Sequence, residues 1–312
     1  MKRVFSTLVL LAMAASLFLG LTACTFSSTA KSWTGKYVYE NADRYTAGGG
    51  DFTADEVKHL DIDWGAGKVQ IYASEDATAV TVREEYYTSN KDTHTPVEEE
   101  SALYRWLDGD TLRIKFLQSK KSKQSVDAKT LMVTIPAGLT LGEVKVRSDS
   151  AGVNMGDMTM EKFDIESVSG NLLVTCCSAD TARLKSVSGE VSCGQGTART
   201  LDAETTSGEI YVERIENLAT LKITTVSGNV RLWHGSCIPE QTEVDTTSGE
   251  VKLMFPTGSA FTVAFETVSG TYNLTGFEET VNGITHHIAG GGAIYDIETV
   301  SGNVAVTRIL DN

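Results

Sequence analysis

The sequence predicts an all-β chain folded as a parallel β-solenoid, a single-stranded β-helix with coils of about 20 residues. Three observations carry the prediction. The tetrapeptide Ser/Thr-Val/Thr-Ser-Gly occurs seven times, ending at Gly170, Gly189, Gly208, Gly228, Gly249, Gly270 and Gly302, in steps of 19, 19, 20, 21, 21 and 32 residues. Apolar residues alternate with polar ones on both sides of each glycine: Ile165, Leu184, Ala203, Ile223, Val244, Phe265 and Ile297 precede it, and Leu172, Val191, Ile210, Val230, Val251, Tyr272 and Val304 follow it. Period-two alternation on both sides of a turn residue means two strands per repeat. Finally, polar columns change sign from copy to copy, as in Asp164, Arg183, Asp202, Lys222 and Glu243. In-register parallel stacking sets those opposite charges side by side, and it places Ile165 directly beneath Leu184.

In chain order, residues 1–23 read as a lipoprotein signal peptide. Lys2 and Arg3 precede an apolar run of 16 residues, Val4 to Leu19, and then Leu21-Thr22-Ala23-Cys24. That run is short for a membrane span of roughly 20 residues, and small residues before a cysteine are a cleavage signal. The tetrapeptide resembles the bacterial lipobox, which implies a diacylglyceryl thioether on Cys24 and a chain held on the extracytoplasmic side of the cell membrane. Two acyl chains suffice for stable anchoring. Residues 24–50, with their Thr, Ser and Gly48-Gly49-Gly50, read as a tether. Residues 51–312 form the solenoid, with irregular N-terminal coils over 51–160 and regular Ser-Gly repeats over 161–312. Leu60 to Ile71 already looks like a coil with Gly67 at its corner, and strand-like runs follow at 79–85, 111–116 and 130–136. The excess length of the last step falls in Val281 to Gly292, read as a loop leaving the coil.

Each corner has a local explanation in the sequence. Glycine adopts positive φ without steric cost, and the serine before it bonds backbone groups at the turn. Seven serines in a column suggest nucleophiles only if a base recurs beside them, and no His or acid does. Cys176, Cys177, Cys193 and Cys237 lack metal spacing and read as buried free thiols. His286 and His287 are adjacent, so on a strand they point opposite ways and do not chelate one ion together. No cofactor is expected.

Removing Lys2 and Arg3 leaves 25 basic residues against 41 acidic, a net charge of about −16. Such a surface repels nucleic acid. Within the repeats, the residues just after the corner glycines include Glu190, Glu209 and Glu250, and this column is the candidate face for a ligand or a cation.

The lipobox, the run Leu131-Met-Val-Thr-Ile-Pro136 and the Ser-Val-Ser-Gly-Asn/Glu coils together resemble a bacterial β-strand-repeat family of unknown function, labelled "putative adhesin". The resemblance covers about residues 55 to 312 and implies a fold, with no catalytic residues to carry over. The function expected is an adhesion or interaction scaffold at the cell envelope, not an enzyme, whose partners are the membrane and a glycan or surface protein. One alternative is a polysaccharide lyase or hydrolase, which needs paired acids and for which Glu190 and Glu209 are the nearest candidates. Another is an envelope-stress accessory or regulatory protein without a ligand of its own.

Overall fold

The computed structural model describes residues 36–86, 96–122 and 127–309, and they divide into two compact units, 36–189 and 190–309. The N-terminal unit contains β1 (Thr46–Ala47), β2 (Gly50–Phe52), β3 (His59–Trp64), β4 (Gly67–Ser74), β5 (Val80–Tyr86), β6 (Tyr104–Asp108), β7 (Thr111–Lys115), β8 (Lys129–Pro136), β9 (Thr140–Ser148), β10 (Gly152–Gly156), β11 (Thr159–Ser167), β12 (Leu172–Thr175) and β13 (Ser178–Ser186). The C-terminal unit contains β14 (Val191–Gly194), β15 (Thr197–Thr205), β16 (Ile210–Glu213), β17 (Thr220–Thr225), β18 (Val230–Trp233), β19 (Gln241–Thr246), β20 (Val251–Pro256), β21 (Phe261–Thr267), β22 (Tyr272–Thr275), β23 (Glu279–Asn282), β24 (Thr285–Ile288), β25 (Ala293–Thr299) and β26 (Val304–Ile309).

Each unit holds two mostly parallel sheets. In the N-terminal unit their orders are β1-β6-β7-β3-β9-β11-β13 and β2-β5-β8-β4-β10-β12. In the C-terminal unit they are β15-β17-β19-β25-β21-β24-β23 and β14-β16-β18-β20-β26-β22. Ile165 pairs in register with Leu184, as the repeat requires. Both are fully buried, as are the inward residues of neighbouring strands such as Val146, Val153, Ile223 and Val251. Each such side chain contributes about 1.5–3 kcal/mol on burial. Alternation therefore becomes one apolar face per sheet, and the two faces of a coil close on each other.

The order of the coils departs from the sequence near both ends. The first coil, β3 with β4, lies between β7/β8 on one side and β9/β10 on the other. The last, β25 with β26, lies between β19/β20 and β21/β22. Within each unit the remaining coils stack in sequence order. All these coils present the same parallel hydrogen-bonding edge and the same apolar columns, so a late coil fits into an earlier gap. Closing the longer loop adds only slowly to the entropic cost.

Two further expectations are corrected. Residues 36–50 do not extend away as a tether: Tyr37 is buried and donates to the Asp63 carbonyl, Tyr39 is buried beside it, and β1 and β2 pair antiparallel with β6 and β5. Aromatic rings bury more apolar area than a solvated linker can forgo. The segment 281–292 is not a free loop either, because β23 and β24 form a hairpin that pairs antiparallel with β21.

The corner glycines are required for a reason different from the one expected. None of Gly170, Gly189, Gly208, Gly228, Gly249, Gly270 and Gly302 has positive φ. A Cβ on Gly170 would lie 1.9 Å from the Ala151 carbonyl oxygen, and one on Gly228 would lie 1.7 Å from that of Gly208. Close approach of the neighbouring coil excludes the side chain. The turn itself is held three residues earlier, where buried hydroxyls accept the glycine amide: Ser167 Oγ from Gly170 at 2.8 Å, Thr225 Oγ1 from Gly228 at 3.0 Å and Thr299 Oγ1 from Gly302 at 2.7 Å. The serine just before the glycine bonds outward to the adjacent coil, as Ser188 Oγ does to Val168 O at 3.3 Å.

Candidate functional site

The corners form the most regular exposed feature of each unit. In the N-terminal unit Val168 and Val187 are 39% and 40% exposed, each followed by an exposed serine. In the C-terminal unit the corresponding row runs Thr206, Val226, Thr247, Val300 and Val268, an order fixed by the bonds from Ser227, Ser248, Ser301 and Ser269 to the carbonyl of the preceding coil. Valine or threonine thus forms one column of the corner ridge and serine the column beside it, each stepping from coil to coil at the strand spacing of about 4.8 Å.

Beside this ridge lie the acids singled out in the sequence. Val191 N donates to Glu209 O at 2.9 Å, so Glu190 and Glu209 do sit on adjoining coils. Glu250 is two coils from Glu209, with Asn229 between them. Glu209 pairs with Arg231 at 2.9 Å and Glu250 with Lys252 at 3.0 Å, so each of these two carries its own counter-charge. Among the described residues no group of three or more His, Cys, Asp or Glu is arranged to hold a metal ion. Cys24 lies outside the described residues.

The charge ladder on the outer sheet faces appears as alternating ion pairs. Arg183 bridges Asp164 at 3.3 Å and Glu166 at 2.8 Å, and Lys222 meets Glu243 at 2.6 Å. Beyond Glu243 the alternation fails. The out-of-order coil sets Asp296 against Glu243, and Glu298 between Asp245 and Glu266. Burial, reinforced by the Glu243 charge, raises the Asp245 carboxyl to about 6.

Several functional-looking groups are structural, and two of them, Lys129 and His234, were not legible in the sequence. Lys129 is fully buried, with Nζ donating to Glu84 Oε2 at 2.8 Å, Ser101 O at 2.7 Å and Phe116 O at 2.6 Å, against the rings of Trp64 and Phe116. Burial lowers its pKa while the Glu84 carboxylate opposes the shift. His234 is buried among Phe255 and Tyr295, with Nε2 3.0 Å from the Tyr295 hydroxyl, and burial depresses it to about 3. His286 lies 2.7 Å from Glu279 and stacks on Tyr272, whereas His287 turns the other way to Thr262. Of the four described cysteines, all free, Cys177 and Cys193 are buried as expected; Cys176 and Cys237 are exposed because they fall on corners rather than in the inward columns. Burial pushes the Cys177 thiol up to about 12, so it is inert.

Stacked coils with a repeated exposed corner ridge define a class of β-repeat protein whose regular surface lies along its corners. The chain belongs to the Toastrack family DUF4097, whose model matches residues 57–307. No curated protein matches it. It is similar to a solved "putative lipid binding protein" from Parabacteroides distasonis, at 11% identity over 86% of this chain and 97% of that one, with a TM-score of 0.45. It is also similar to a "putative adhesin" from Bacteroides fragilis, at 13% identity over 84% and 96% of the two chains and a TM-score of 0.38. A third match is a "putative cell adhesion protein" from Clostridium sporogenes, at 10% identity over 85% and 100%, with a TM-score of 0.30.

Proposed function

We propose that the chain is an interaction scaffold of the cell envelope, lipid-anchored through Cys24 on the extracytoplasmic side, that adheres to a glycan or a surface protein through its corner ridge. The observation that carries this reading is the ridge itself, with apolar methyls and serine hydroxyls repeated in adjoining columns on hydrogen-bonded coils. Coils of about 20 residues supply one Val/Thr-Ser pair per turn, which suits a partner that is itself extended and repetitive. The pairing of Glu209 with Arg231 and of Glu250 with Lys252 favours this over sugar cleavage, which needs an acid and a base free to act on one bond.

The test is binding of the fluorescently labelled chain to intact cells and to purified wall glycans, with and without chelator. Val226→Asp combined with Val268→Asp introduces charge into the ridge at exposed or half-exposed positions. It is expected to weaken binding at least about tenfold while the unfolding midpoint stays unchanged. Binding unaffected by the pair of substitutions refutes the assignment of the ridge. Cys24→Ala is expected to move the chain from the membrane to the soluble fraction, and persistence in the membrane refutes the anchor.

A further inference from the structure

We propose that the end of the C-terminal unit is a self-complementary step through which two copies of the chain pair. Among the described residues the coil β21–β22 is the last complete one, yet the sheet containing β21 continues through β24 and β23, and the sheet containing β22 ends there. One sheet therefore overhangs the other by two strands. The short sheet ends on Tyr272–Thr275 and the long one on Glu279–Asn282, both four residues in length. Neither edge carries the Lys or Pro that commonly blunts an open strand.

Both edges have features of unfinished interior. Val304 N donates to Thr271 O, which in a parallel ladder turns the main-chain groups of Tyr272 and Leu274 toward the open side. Their side chains are half-buried, although the register partners Val304 and Val306 are fully buried. Val281 on β23 is 54% exposed.

A second copy fits this step because of its symmetry. A two-fold axis along the strand direction, at the end of the unit, exchanges the two sheets and seats each copy's overhang in the other's deficit. The strand directions agree with that operation. A two-strand coil closes only if β21 and β22 run in opposite senses, and β23 runs with β21 because two antiparallel pairings separate them. The β23 of one copy therefore meets the β22 of the other antiparallel, as in strand addition at an open edge. That direction brings the Thr275 end of β22 to the start of the partner's β23. Arg308, beside Gly276 at that end, and Glu278, just before β23, make no ion pair among the described residues. Docking sets Arg308 against the partner's Glu278, and the symmetry makes this pair twice.

The experiment is sedimentation velocity of the chain from residue 25 onward, which contains every described residue, over about a hundredfold range of concentration. A concentration-dependent dimer is expected. Val281→Lys is expected to leave a monomer with unchanged far-UV circular dichroism, and Arg308→Glu to weaken the dimer at least about tenfold. Adding Glu278→Lys to Arg308→Glu restores it. A monomer at every concentration, a dimer indifferent to Val281→Lys and Arg308→Glu, or a charge swap that fails to restore pairing each overturns the proposal. None of these outcomes depends on whether the corner ridge binds glycan.

Discussion

Gly228→Ala separates close approach from backbone conformation as the reason for the corner glycine. The substituted Cβ falls 1.7 Å from the Gly208 carbonyl oxygen and 2.9 Å from Thr225 Oγ1, where real contacts essentially never fall below 3.0 Å. The neighbouring coil must retreat by about 1 Å in a ladder spaced at about 4.8 Å. That retreat strains the bond from Gly228 N to Thr225 Oγ1, 3.0 Å, and the inter-coil bond from Ile210 N to Asn229 O, 2.9 Å. Two weakened bonds at about 1 kcal/mol each, with overpacking of about 1–3 kcal/mol, give a destabilisation of about 3–5 kcal/mol. Gly258 is the control, with φ +84 and nothing within 4 Å of a built Cβ. There alanine costs about 1–2 kcal/mol through the left-handed backbone alone, and asparagine recovers part of it. Urea unfolding of both series, read as the midpoint at constant slope, is the assay. If Gly228→Asn is as stable as the parent, or Gly228→Ala shifts stability by less than about 0.5 kcal/mol, the close-approach argument is wrong.

Lys129→Met leaves the Glu84 carboxylate buried at 8% exposure without its cation, and a loss of about 3–5 kcal/mol is expected. Adding Glu84→Gln, which keeps an acceptor for the Leu103 amide, should return most of it, and a single variant as stable as the parent would contradict the clamp. His234 has a folded pKa of about 3 against an ordinary 6.5, so only the unfolded chain takes up its proton as pH falls below 6.5. Stability from this group is therefore complete above pH 6.5 and declines by about 2 kcal/mol by pH 5. His234→Phe should flatten that part of the stability–pH curve, and parallel curves would exclude the burial argument. Asp245 acts with the opposite sign: its raised carboxyl binds a proton first in the folded state, so stability rises as pH falls from about 6 toward 3.8, and Asp245→Asn should abolish that rise.

The amino-acid pattern alone predicted the class of fold, the two strands per coil and the identity of the inward columns. It did so because parallel in-register stacking makes each coil repeat its neighbour's pattern: Ile165 and Leu184 occupy one column whether seen as letters or as partners. The pairing of Arg183 with Asp164 was legible for the same reason. The step of 32 residues marked where regularity failed, but not how. The folded chain alone reveals that β25/β26 slips between β19/β20 and β21/β22, since every coil offers the same edge and local periodicity does not say which neighbour fills it. It also decided the role of the corner glycines, which depends on a carbonyl one coil away, and of Lys129, whose partner Glu84 lies 45 residues distant. Columns are a local property of a repeating chain, whereas the order of coils and the contacts of a buried charge exist only after distant segments have met.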